Sequence, residues 1–177
     1  MSLTDARGVP VSIENRRALD HFERALWRFH SYVGDPIETI DEVLAEQPDF
    51  VLAHIFRATL LLLTSERQYQ SEAKNSIQQA EALIHQANER ERGLFSAARC
   101  WLEGDWPAAC RAWEAVLVDY PRDAFALQAA HLTDFFLGDS ANLGNRIARV
   151  LPAWDEDLPS YSYILGMGAF GLEECNH

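Results

Sequence analysis

Residues 90–121 read RERGLFSAARCWLEGDWPAACRAWEAVLVDYP, and this stretch decides the fold. Apolar side chains recur in it at three- and four-residue spacing on both sides of one break, Gly104-Asp105, which is the period of an amphipathic helix. Two helices joined by a tight turn follow from that pattern. Gly104 can adopt the left-handed backbone that ends the first helix, Asp105 offers an oxygen to the free amides of the second, and Pro107 lies where a missing N–H costs nothing. Ala97 and Ala109 are small enough for close helix approach, while Trp106, Trp113, Val116 and Leu117 fill the space around it. Pro121 ends the second helix.

The same punctuation recurs on either side. Upstream, Gly34-Asp35-Pro36 repeats the turn: Gly34 closes a helix that starts near Ile13, and Asp35 caps the next, which Pro48 stops. Asp49 caps a helix running to about Thr64 that turns Leu52, Ile55, Phe56, Thr59 and Leu63 inward. Its partner, from about Gln70 to Ala87, lacks the Gly-Asp turn, which implies an insertion between them. Asn88 and Glu91 have capping-box spacing and start the next helix. Downstream, a helix from Asp123 to Leu137 is closed by Gly138, and Asp139 or Ser140 begins a short one that stops before Pro152. After the loop from Pro152 to Pro159, Ser160 caps a last helix from Tyr161 to Leu172. Gly166, Gly168 and Gly171 each cost that helix roughly 1 kcal/mol relative to alanine, so their use implies close helix approach. The reading is one all-α domain over residues 1–177, with four hairpins and the first helix of a fifth.

The spacing of Ala97, Gly104, Asp105, Trp106, Ala109, Trp113, Val116 and Pro121 resembles the tetratricopeptide repeat, a two-helix unit of about 34 residues. That resemblance implies a right-handed α-solenoid of antiparallel helix hairpins. Longer strings are similar to the tetratricopeptide repeat protein 38 family: Gly34-Asp35-Pro36-Ile37, Asp49-Phe50-Val51-Leu52-Ala53-His54, Glu89-Arg90-Glu91-Arg92, Pro121-Arg122-Asp123-Ala124, Ala130-His131 with the run from Asp134 to Asp139, and Tyr161-Ser162-Tyr163 with Gly166-Met167 and the run from Ala169 to Glu174. They span nearly the whole chain. Members of that family are considerably longer, so the resemblance implies an amino-terminal piece or a shortened member. It implies a fold far more than a function.

With 15 basic against 27 acidic residues the formal charge is -12, which repels a nucleic-acid backbone. Arg90, Arg92 and Arg99 interleave with Glu89 and Glu91 and are expected to form a solvated, self-paired face. No apolar run approaches the about 20 residues that span a bilayer, and residues 1–10 lack a signal-peptide pattern, so a cytoplasmic protein is expected. Cys100, Cys110 and Cys175 are odd in number and widely spaced, which favours buried, reduced thiols.

In such a stack the first helix of each hairpin lines the concave face, where repeat proteins commonly bind partners. His54, His131, Asp134, Glu173 and Glu174 lie on those helices. A metal or acid–base site would need His54 and His131 to converge with Asp134 or Glu173. The two histidines lack HxxxH or HxxE spacing, and lone histidines on helices are more often packed than ligating. No GxSxG, HExxH, phosphate-binding loop or close Cys-His pair is present. No catalytic residue, metal set or cofactor is therefore assigned. Trp27, Trp101, Trp106 and Trp113 are expected in the core, and Trp154, beside Asp155, Glu156 and Asp157, at the surface. The expected function is a scaffold that holds a protein or peptide, preferably basic, in the concave groove through His54, His131, Asp134 and Glu173. The alternative is an enzyme or small-molecule or metal binder whose concave site is completed by further carboxy-terminal repeats. The apolar helix from Tyr161 to Leu172 is also expected to pair with a second copy of the chain.

Overall fold

The computed structural model describes residues 3–176. A two-stranded antiparallel hairpin, β1 Leu3–Thr4 and β2 Pro10–Val11, precedes the helices. They are α1 Arg16–Ser31, α2 Pro36–Glu46, α3 Val51–Leu63, α4 Gln70–Leu83, α5 Glu89–Leu102, α6 Trp106–Asp119, α7 Ala124–Leu137, α8 Ser140–Val150 and α9 Tyr161–Glu174. Short 3-10 turns at Arg67–Tyr69, Ile84–Gln86 and Leu151–Ala153 extend the α3–α4, α4–α5 and α8–α9 connections. Consecutive helices pack on one another, and the architecture is all-α.

The helix starts are set by side chains that accept otherwise unpaired amides. Asn15, Asp35, Asn88, Asp105, Asp123 and Asp139 each accept a first-turn N–H, and Asn88 with Glu91 forms the full reciprocal box. Gly104 and Gly138 are left-handed, with φ of 85° and 70°, where the turn geometry requires it. Three expected boundaries shift. α1 begins at Arg16, and its left-handed closing residue is Tyr32 (φ 55°), two positions before Gly34. Asp49 accepts from the Gln47 side-chain amide and leaves Phe50 to start α3 without a side-chain cap. Ser160 is left-handed and gives α9 no cap bond, because its hydroxyl is engaged by His30.

The first helices do not line an open groove along their length; they meet. All of α3 except Arg57 and Leu63 is buried. The Phe56 ring sits 5.2 Å from Phe22, 5.8 Å from Phe29 and 5.0 Å from Phe125, edge to face in each case, and Phe125 continues to Trp113 at 5.7 Å. Such pairs add about 0.5–1.5 kcal/mol each to the area they bury. This cluster joins α1, α3, α6 and α7 across the interior.

Two surface expectations are corrected. Arg90 and Glu91 are buried rather than solvated: Arg90 donates to Asp123 (2.6 Å) and to the Pro10 carbonyl (3.0 Å), and Glu91 accepts from the backbone amides of Ser12 (2.8 Å) and Asn88 (3.2 Å). Apart from Asn88, their partners are Pro10 and Ser12 at the amino-terminal hairpin and Asp123, the cap of α7, which no local charge pattern could show. That hairpin turns on Asp5, whose Oδ1 accepts from Arg7 and Val9 amides, with Gly8 left-handed at φ 81°. Trp27 is half exposed, whereas Trp154 is buried with its Nε1 donating to the Pro121 carbonyl at 2.9 Å. The acidic neighbours of Trp154 face solvent while the ring plugs the α6–α7 turn.

Two of the three glycines in α9 mark close approach. A Cβ on Gly171 would lie 2.6 Å from backbone atoms of Leu143 and Gly144, and one on Gly168 would lie 3.1 Å from the Ile147 side chain. One on Gly166 would meet nothing within 4 Å.

Candidate functional site

The end of α1 is drawn onto α7 and α9 by His30. Its Nε2 lies 3.2 Å from the Ala124 carbonyl and its Nδ1 3.0 Å from the Ser160 hydroxyl. A carbonyl only accepts, so Nε2 carries the proton and Nδ1 accepts from Ser160. Burial pushes the His30 pKa down to about 4, helped by Arg7 and opposed by the Ala124 carbonyl and Asp123. Beside it, Gln128 on α7 donates its Nε2 to the Phe29 carbonyl and to the Tyr32 hydroxyl, each at 3.3 Å.

Beside these contacts lies a half-open cavity of about 500 Å³ between α1, α7 and α9. Its wall consists of His30, Ser31 and Tyr32 at the end of α1, Gln128, His131, Leu132 and Phe135 from α7, and Ser162, Tyr163, Gly166, Met167 and Phe170 from α9. The aromatic rings brace one another: Tyr163 lies 5.6 Å from His30, and Phe170 lies 5.9 Å from His131 and 5.7 Å from Phe135. No Asp, Glu, Lys or Arg is in the wall. His131 is also held neutral at pH 7: burial and Arg146 push its pKa down to about 4 against the raising effects of Asp134 and the Leu143 carbonyl. The cavity is therefore uncharged, and a charged guest would be desolvated there without a partner.

The residues singled out from the sequence do not gather in one place. His131 is in the cavity wall. Asp134, one turn further along α7, accepts from Arg146 Nε (2.7 Å) and Nη2 (2.9 Å) on α8 and from the Cys110 thiol (3.3 Å) on α6. Arg146 also pairs with Glu114. His54 lies on α3 and bonds the Pro48 carbonyl at 2.8 Å, and burial lowers its pKa. Glu173 and Glu174 are exposed at the end of α9. Among the described residues no group of three or more His, Cys, Asp or Glu is placed to hold a metal ion, and no helix is long and apolar enough to cross a membrane.

Sequence reasoning passed over His30, Gln128 and Tyr32. Their one signal was polarity in an apolar context: His30 follows Phe29 at the end of an amphipathic helix, and Gln128 interrupts the run AFALQAA. No family model matches the chain, and no solved structure does. The cavity itself is thus the main guide to function.

Proposed function

We propose that this protein is a binding module that holds an uncharged, mostly apolar ligand in the cavity between α1, α7 and α9. The observation that carries this reading is the wall: about 500 Å³ lined by aromatic and aliphatic groups with a few polar atoms and no formal charge, the size and character of small-molecule sites in general. We also propose that the helices form a tetratricopeptide-type solenoid similar to the tetratricopeptide repeat protein 38 family. The Gly-Asp turns before α6 and α8, the related turn before α2 and the packing of consecutive helices support that assignment.

Saturation-transfer NMR with toluene and ethylbenzene tests the cavity against its filled variant, Gly166→Phe. A side chain at Gly166 starts in open space, so the variant should fold and lose the probes that the native protein binds. Equal binding by both proteins would move the site elsewhere, and no binding to the native protein would end the proposal.

A second reading keeps the interaction scaffold, with an apolar side chain of a protein partner as the occupant. Exposed Tyr32 and Val33, and half-exposed Phe135 and Leu165, favour it because single small ligands do not need an apolar rim. The charge of -12 would speed encounter with a basic partner. Self-association would instead use Leu165 and Leu172, which α9 leaves exposed, and light scattering would report it as a doubled mass.

A further inference from the structure

We infer that the cavity ligand is an aromatic or alicyclic alcohol, and that its hydroxyl takes the place on Gln128 now held by the Tyr32 phenol. This rests on the cavity being a ligand site, as proposed above. Gln128 is 3 % exposed and lies in the cavity wall. Its amide can face only one way, because the Phe29 carbonyl cannot donate and therefore requires Nε2 on its side. The same nitrogen gives its second hydrogen to Tyr32 Oη. Its Oε1 accepts no hydrogen bond from any described residue, nor is it one of the sealed, unpartnered side-chain atoms of the interior. One buried amide thus offers a spent donor and a free acceptor, and a guest that carries a donor completes it.

A hydroxyl suits this amide better than an N–H, because it can donate to Oε1 and accept from Nε2 at once. An ether can only accept, and a hydrocarbon does neither. A carboxylate or ammonium is excluded by the uncharged wall.

Tyr32 is built to yield. Its side chain is a wall residue, yet the residue is 75 % exposed, so the ring lies at the mouth. It is held there by the single 3.3 Å bond to Gln128, on a left-handed backbone (φ 55°) that a bulky residue rarely adopts. Displacement by a ligand hydroxyl replaces that bond with an equivalent one.

Calorimetric titration of the native protein with 4-ethylphenol, 4-ethylanisole, ethylbenzene and 4-ethylbenzoate tests the inference. The phenol should bind several-fold to about tenfold more tightly than the ether, the net worth of one hydrogen bond, and the carboxylate should not bind. Gln128→Met should bring phenol and ether to the same affinity. Should that variant not fold, Tyr32→Phe tests the place on Gln128 instead, because removing the competing hydroxyl should tighten phenol binding and leave ethylbenzene unchanged, and no gain for the phenol would overturn the inference. Equal affinities for phenol and ether in the native protein would overturn the alcohol assignment while leaving the cavity reading intact. Failure of all four probes to bind would remove both.

Discussion

Gly171→Ala and Gly166→Ala place the same methyl group on the same helix, five residues apart, and should move stability in opposite directions. Both gain about 1 kcal/mol of helix propensity. At Gly166 nothing opposes that gain, because the new Cβ meets no atom within 4 Å. At Gly171 the Cβ would stand 2.6 Å from Leu143 C and Gly144 N and 2.7 Å from Leu143 O. These are backbone atoms that cannot rotate aside, so α9 must lift from α8. Overpacking of this kind costs about 1–3 kcal/mol, and rigid neighbours place it at the upper end. The two variants should therefore differ by about 2–3 kcal/mol, or roughly 4–12 °C in Tm for a chain of this size. Urea denaturation followed by circular dichroism, with calorimetry alongside, measures it. A Gly171→Ala protein as stable as Gly166→Ala would show that α8 and α9 do not approach at Gly171, and the geometry of this end of the molecule would have to be redrawn.

Acid should weaken the fold through His30. Its folded pKa of about 4 lies below the ordinary 6.5, so the unfolded chain takes up the proton first as pH falls. Stability present above pH 6.5 is then lost toward pH 4, at about 1.4 kcal/mol per unit and about 3 kcal/mol in all. Urea midpoints at pH 7.5 and 4.5 should drop less in His30→Gln than in the native protein, and an identical drop would refute the assignment. Asp123→Asn should cost about 3–5 kcal/mol because it removes the carboxylate paired with the buried Arg90 guanidinium; adding Arg90→Met should restore part of that, and a single variant within about 1 kcal/mol of native by urea extrapolation would count against it. Burial, followed by Asp134, pushes the Cys110 thiol up to about 12, so iodoacetamide at pH 8 should leave it unmodified in a peptide map. Modification at the rate of a free thiol would contradict that placement.

What the sequence conveyed and what it withheld divide by distance along the chain. Asp105, Asp139 and Asn88 announced their helices because a cap and the amides it serves lie within three residues. Gly171 could be read indirectly, since a glycine inside a helix has to be justified by something close by. The cavity had no such marker. Its wall is assembled from residues about 100 positions apart, and neither His30 nor Gln128 belongs to a spacing that signals chemistry. Arg90 was misplaced for the same reason: its partners lie 33 and 80 residues away. Trp27 and Trp154 show the limit of composition, because an aromatic in an amphipathic helix can fall on its outer face, and one among acidic residues can still turn inward.

The two hydrogen bonds of His30 span 94 and 130 residues. In a linear array each unit leans only on the next, so an end can fray while the middle stands, and length can be trimmed unit by unit. Here the first helix is latched to the seventh and the ninth, and fraying at either terminus would open the same seam. These hydrogen bonds join the two ends of the fold and should couple them in one unfolding transition. Closure over so long a loop also has to wait until most of the chain is in place. Because its wall draws on α1, α7 and α9, the pocket should be lost with a helix removed from either end.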